Sequence, residues 1–154
     1  MIRRLSWFGI LAAAVLLAAA APASAQAHAG VRVGVSADPD QFFFGGHVET
    51  APVAEHLTFR PNVEIGVGDD ETLIALNFEF AYWLQMRRSH PWSVYVGAGP
   101  AANIFSHRHG GGSDVGGGLN FLIGAQHRDG LFTEFKVGAI DSPSVKFTVG
   151  YAFK

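Results

Sequence analysis

From Val31 onward, apolar residues alternate with small or polar ones, most sharply in the final ten residues, VKFTVGYAFK. Val145, Phe147, Val149, Tyr151 and Phe153 share one parity; Lys146, Thr148, Gly150, Ala152 and Lys154 share the other. Neighbouring side chains of a strand point to opposite faces, so this stretch predicts a strand with one apolar face. The same rhythm predicts seven strands before it. The first spans Val31 to Val35, with Arg32 opposite the valines, and a turn over residues 36–40 follows it. The second runs from Phe42 to Thr50, with Phe42, Phe44 and Val48 opposite Phe43, His47 and Glu49. In the third, Leu57, Phe59, Val63, Ile65 and Val67 alternate with Thr58, Arg60, Asn62, Glu64 and Gly66. Pro61 falls in the apolar register and predicts a bulge or local distortion, because proline has no N–H for the ladder.

The fourth strand, Thr72 to Gln85, sends Ile74, Leu76, Phe78, Phe80, Tyr82 and Leu84 one way and Ala75, Asn77, Glu79 and Ala81 the other. The fifth, Trp92 to Ile104, sets Trp92, Val94, Val96, Ala98 and Ala102 against Tyr95, Gly97, Gly99 and Asn103. Ser106 to Asp114 is expected to be the longest loop. The sixth strand carries Leu119, Phe121 and Ile123 against Gly118, Asn120 and Gly124; the seventh carries Leu131, Phe135 and Val137 against Glu134, Lys136 and Gly138. Helical periodicity is absent downstream of residue 25. Roughly 16 residues per strand and turn is the spacing of an up-and-down meander.

Residues 1–25 break this pattern. Arg3 and Arg4, the apolar run Leu11 to Ala21 and the small residues Ala23-Ser24-Ala25 have the three-part form of a cleaved signal peptide. Residues 26–154 are then one exported domain. With no cysteine, neither disulfides nor thiolate metal sites can hold it together. Without Arg3 and Arg4, acidic residues exceed basic ones by four, which argues against a nucleic-acid partner. Charged residues are only 16 % of the chain, against roughly 25 % in soluble domains. No apolar run after Ala25 could cross a membrane as a helix, so a membrane-spanning form has to be a closed barrel.

Three features predict that the apolar face of the barrel points outward. The opposite face is rich in glycine (Gly66, Gly97, Gly99, Gly118, Gly124, Gly138, Gly150), which suits the crowded interior of an eight-stranded barrel. Its charges balance: Glu49, Glu64, Glu79 and Glu134 against Arg32, Arg60, Lys136 and Lys146. A closed interior requires such pairing, since an isolated buried charge costs several kcal/mol. Third, Phe59, Tyr82, Trp92, Tyr151 and Phe153 cluster near strand ends on the apolar face, as an interfacial aromatic girdle would. Export through a signal peptide would set that girdle on the periplasmic side, with Phe42 and Phe44 nearer the outer rim.

The segment Val149-Gly150-Tyr151-Ala152-Phe153 resembles the closing strand of small outer-membrane barrels of the outer membrane protein A and X type, although Lys154 follows the last aromatic. Pro91 to Gly99 is similar to their P-x-x-Y-x-G-x-G strand, Gly117 to Gln126 to the glycine-rich strand after it, and Leu131 to Gly138 to their penultimate strand. The resemblance implies an eight-stranded antiparallel transmembrane β-barrel in the bacterial outer membrane. It also implies Gly150, Tyr151 and Phe153 as a signal to the barrel-assembly machinery, and contact with outer-membrane lipid and lipopolysaccharide.

Candidate chemistry is sparse. His107, His109 and Asp114 could meet a metal ion, and Ser106, His107 and Asp114 are the parts of a hydrolase triad. A glycine-rich loop preorganises neither. His47 and Glu49 are read as members of the lumen network. The expectation is therefore a monomeric, non-enzymatic barrel with no cofactor, no open pore and a structural or surface role. A lipid-modifying enzyme and a soluble lipocalin-like carrier with its apolar face inward are the alternatives.

Overall fold

A computed structural model describes residues 27–85, 89–108 and 110–153. The leader expected over residues 1–25 lies outside the described residues, as do Arg87, Arg88, His109 and Lys154. Eight antiparallel strands follow one another in chain order and close on themselves. They are β1 (His28–Ala37), β2 (Gln41–Glu49), β3 (Leu57–Val67), β4 (Glu71–Trp83), β5 (Trp92–His107), β6 (Ser113–His127), β7 (Leu131–Ile140) and β8 (Val145–Ala152). Closure comes from β1 pairing with β8, Val33 opposite Val149 and Val31 opposite Tyr151. A closed ladder has no edge strand, so wall hydrogen bonds are satisfied without help from solvent.

The barrel is apolar outside and polar inside. Phe44, Phe80, Phe121, Phe135 and Phe147 all face outward and are between 42 % and 51 % exposed. Arg32, Arg60, Glu64, Glu79, Glu134, Lys136 and Lys146 face inward and are buried. This inverts the arrangement of a soluble carrier, and the lipocalin-like alternative fails on it.

Several expected boundaries shift. β1 starts three residues earlier than expected and ends two residues later, leaving only residues 38–40 as a turn. β5 and β6 continue past Ile104 and before Gly116, so the expected loop over 106–114 shrinks to residues 108–112. Ser106 pairs with Ser113 and Phe105 with Asp114, which makes most of that stretch hairpin. Pro61 produces no bulge between β3 and β4, where the register runs unbroken from Leu57–Tyr82 to Val67–Thr72. Its missing N–H is instead felt toward β2, whose paired ladder with β3 ends at His47–Asn62.

Both described chain ends lie at one end of the barrel, here called the terminal end. The connections at the far end, residues 38–40, 68–70, 108–112 and 141–144, are all short. Two of those at the terminal end, 50–56 and 84–91, are the longest in the fold. Outer-membrane barrels generally distribute loop length the other way.

Inward glycines make room for the large residues between them. A methyl group on Gly99 would strike the Phe78 carbonyl oxygen and the Glu79 Cα, neither of which can move aside. Gly117 points away from the lumen with no heavy atom within 4 Å of such a methyl. Gly99→Ala is expected to lower stability by about 1–3 kcal/mol or block closure. Gly117→Ala should stay within about 0.5 kcal/mol of the parent. Urea unfolding of refolded protein in micelles, followed by the gel shift between boiled and unboiled samples, measures both.

Candidate functional site

The lumen is filled by one connected network of ionic side chains. Glu64 on β3 meets three cations: Arg32 at 3.2 Å, Lys136 at 3.6 Å and Lys146 at 2.5 Å. Glu134 on β7 meets three as well: Arg32 at 3.4 Å, Arg60 at 3.4 Å and Lys136 at 3.7 Å. Lys136 also reaches Glu79 on β4 at 2.6 Å, and Arg60 Nε reaches Glu49 on β2 at 3.1 Å. The structure thus joins Arg32, Glu49, Arg60, Glu64, Glu79, Glu134, Lys136 and Lys146 into a single cluster. Four positive charges stand against four negative, and no carboxylate is left to the interior alone.

Neutral residues complete it. Tyr95 on β5 donates its hydroxyl to Glu134 at 2.9 Å. Three asparagines form a chain across the lumen: Asn120 donates to Asn77, Asn77 to Asn62, and Asn62 to Glu79, at 2.8, 2.7 and 2.9 Å. Asn120 also donates to the second Glu79 oxygen at 3.1 Å. With β5 supplying Tyr95 and β6 supplying Asn120, every strand contributes to the network. Aromatic faces seat the cations: Arg60 lies 4.6 Å from the Tyr95 centroid, Arg32 5.5 Å from Phe132 and Lys146 5.1 Å from Phe43.

Sequence parity alone does not reveal this polar and aromatic half. Asn62, Asn77 and Asn120 all carry the inward parity, and that was the available signal; which amide meets which carboxylate depends on strand stagger. His47 is buried but does not join the ion pairs. It packs edge-on against Phe132 at 5.1 Å, and neither ring nitrogen has a hydrogen-bond partner. Arg32 Nη2 and Arg60 Nη2 also lack a hydrogen-bond partner, although other atoms of both guanidiniums are ion-paired.

The sequence matches no family model and no curated protein at a significant level. Solved structures do match the backbone. The barrel is similar to Neisserial surface protein A (NspA), with a TM-score of 0.64 and 15 % identity over 83 % of this chain and 95 % of that one. It is similar also to the N-terminal β-barrel domain of Pseudomonas aeruginosa OprF, with a TM-score of 0.63 and 11 % identity over 84 % of this chain and all of that one, 100 %. This is the fold of the small eight-stranded outer-membrane β-barrels.

In this outer-membrane-type barrel the girdle residues Phe59, Tyr82, Trp92, Tyr151 and Phe153 all sit near the terminal end and face outward. Phe59 stacks on Phe80 at 4.9 Å and Tyr151 on Phe153 at 5.6 Å. Tyr151 is paired on both sides, with Val31 and Leu131. Phe153 lies just past β8, and its N–H donates to the Ala29 carbonyl at 2.7 Å. Gly150 faces inward, where a methyl would strike the Phe132 ring.

The hairpin at the far end gathers no catalytic geometry among the described residues. His107 Nε2 lies 3.4 Å from Glu71, and Ser106 Oγ lies 3.4 Å from Ser113 Oγ, not from His107. Three His, Cys, Asp or Glu side chains suited to one metal ion do not come together anywhere among the described residues. His109 lies outside them.

The network makes a quantitative prediction. Glu134→Gln leaves two arginines and Lys136 facing a neutral amide, and should cost about 3–5 kcal/mol. Asp69→Asn, on an exposed turn, should change stability by less than about 0.5 kcal/mol. Urea midpoints in micelles compare the two, and the gap should persist at high salt because screening does not reach buried pairs.

Proposed function

We propose that the protein is an integral barrel of the bacterial outer membrane with a structural role and no catalytic activity. The observation that carries this reading is the inside-out distribution of polarity around a closed eight-stranded wall. A soluble protein could not leave a continuous apolar exterior in water, whereas hydrocarbon requires one. Outward Tyr82, Trp92 and Tyr151 mark the terminal end as one membrane interface, and the export signal expected over residues 1–25 supports assigning that interface to the periplasmic side.

The far end then faces the outside. Its connections hold Asp38, Asp40, Asp69, Asp70 and Asp141, close to the lipopolysaccharide surface, but they are too short to present a broad adhesive face. A structural role fits them better than receptor binding. The lumen is occupied by large buried side chains, Arg60, Tyr95, Phe132 and Glu134 among them, so the barrel is read as a plug and not a channel. The closing residues Gly150, Tyr151 and Phe153 are proposed as the contact for the assembly machinery.

Fractionation of expressing cells tests the placement. Protein in the outer-membrane fraction whose gel mobility changes on boiling is the expected result; protein in the soluble periplasm would overturn it. Phe153→Ala should reduce the outer-membrane level severalfold, and an unchanged level would remove the assembly role of that residue. Purified barrel in a planar bilayer should give no sustained conductance.

A further inference from the structure

We propose that the barrel mouth at the terminal end binds a small uncharged polyhydroxylated ring, either a free sugar or the end of a glycan chain. The mouth holds a cavity of about 310 Å³ lined by His28, Glu49, Pro52, His56, Thr58 and Trp83 among others. That volume is at the small end of ligand sites, roughly 300–1,000 Å³, and admits one or two rings. Identifying the end as periplasmic rests on the proposed function; the binding chemistry does not.

The cavity is built, not left over. Connection 50–56 folds back on β3 through Thr50 N–H to the Phe59 carbonyl at 3.0 Å and Val53 N–H to the Leu57 carbonyl at 2.8 Å. Thr50 Oγ1 secures it further by donating to the Ala51 carbonyl at 2.8 Å. His56 has a φ of 61°, a left-handed conformation rare outside glycine and found where surroundings over-determine the backbone. Its carbonyl accepts from Trp83 N–H at 2.8 Å, and its ring Nε2 lies 2.9 Å from Gln85 Nε2. Trp83 is fixed twice: its indole N–H donates to Thr58 Oγ1 at 3.0 Å, and its ring stacks on Tyr95 at 4.7 Å.

Chemistry selects the ligand class. Trp83 and Pro52 provide apolar surface for the C–H face of a sugar ring. Glu49, His28, His56 and Thr58 provide acceptors and donors for hydroxyls around its edge. An anion would meet Glu49. A cation would add charge beside a carboxylate already matched by Arg60 at 3.1 Å. An apolar ligand would desolvate Glu49 and two imidazoles without replacing their hydrogen bonds.

The indole N–H signals of ¹⁵N-labelled protein test this, with refolding into lauryldimethylamine oxide, a detergent without a sugar head group. Trp92 faces the micelle beside His127 and serves as the internal control. Glucose, maltotriose and tetramethylammonium are the probes. A saturable shift of Trp83 with sugar, Trp92 unmoved, is expected, weakened at least tenfold in Glu49→Gln and His56→Ala. Equal affinity for the two sugars identifies a single-ring site; markedly tighter maltotriose identifies a chain end. His56→Ala leaves the lumen ion pairs intact, so the test stands even where Glu49→Gln fails to fold. No saturable Trp83 shift with either sugar, a shift with tetramethylammonium alone, or sugar binding undiminished in both variants would overturn the proposal. Failure of the membrane placement would show in fractionation and leave these spectra unaffected.

Discussion

Charge neutrality inside a closed wall is the constraint on which the rest of this barrel depends. Eight ionic side chains share one lumen, and a bare carboxylate or ammonium there would cost several kcal/mol. Glu64 and Glu134 resolve it as hubs, each touching three cations: Glu64 on β3 meets cations of β1, β7 and β8, and Glu134 on β7 meets those of β1 and β3 and its own strand's Lys136. Because Arg32 contacts Glu134 across 102 residues of sequence, the network can form only when the first and seventh strands already stand on the same cylinder. Closure and neutrality are one event.

Size follows from the same packing. Arginine, lysine and tyrosine crowd the axis, so the facing positions have to be small, and glycine occupies them. Gly124 lies directly beneath the Tyr95 ring, and Gly150 beneath Phe132. The outer surface is free of this limit and is filled with valine, leucine, isoleucine and phenylalanine. Polarity and volume thus sort by face through one cause, the narrowness of an eight-stranded cylinder.

Much of this was legible in the sequence, because strand geometry converts parity into face. Arg32 and Val33, or Glu134 and Phe135, are neighbours whose fates differ only by that alternation. What parity cannot supply is stagger. Nothing in Asn62, Asn77 and Asn120 says that they link across β3, β4 and β6, since that depends on how far each strand slides along its neighbour. The same limit hid the length of β5 and β6: the glycines of residues 110–112 read as a long loop, while the flanking Phe105, Ser106, Ser113 and Asp114 are held by hairpin pairing. Pro61 announced a distortion without saying on which side, because a missing donor can be placed toward either neighbour; the β3–β4 ladder runs unbroken and the β2–β3 ladder stops beside it. The cavity at the terminal end was invisible for the same reason, being assembled from β1, β2, β3, β4 and one connection.

The shared hubs also shape how such a chain can change over evolutionary time. A substitution at Glu64 alters the surroundings of Arg32, Lys136 and Lys146 together, and these sit on three other strands, β1, β7 and β8, at opposite ends of the sequence. Single steps there are penalised, and sign-swapping pairs are not. Positions 32, 64, 134, 136 and 146 should therefore drift as a linked set among descendants of this sequence, while the outward valines and phenylalanines within the strands exchange more freely. Identity to similar barrels can then fall very low while the interior still sums to zero.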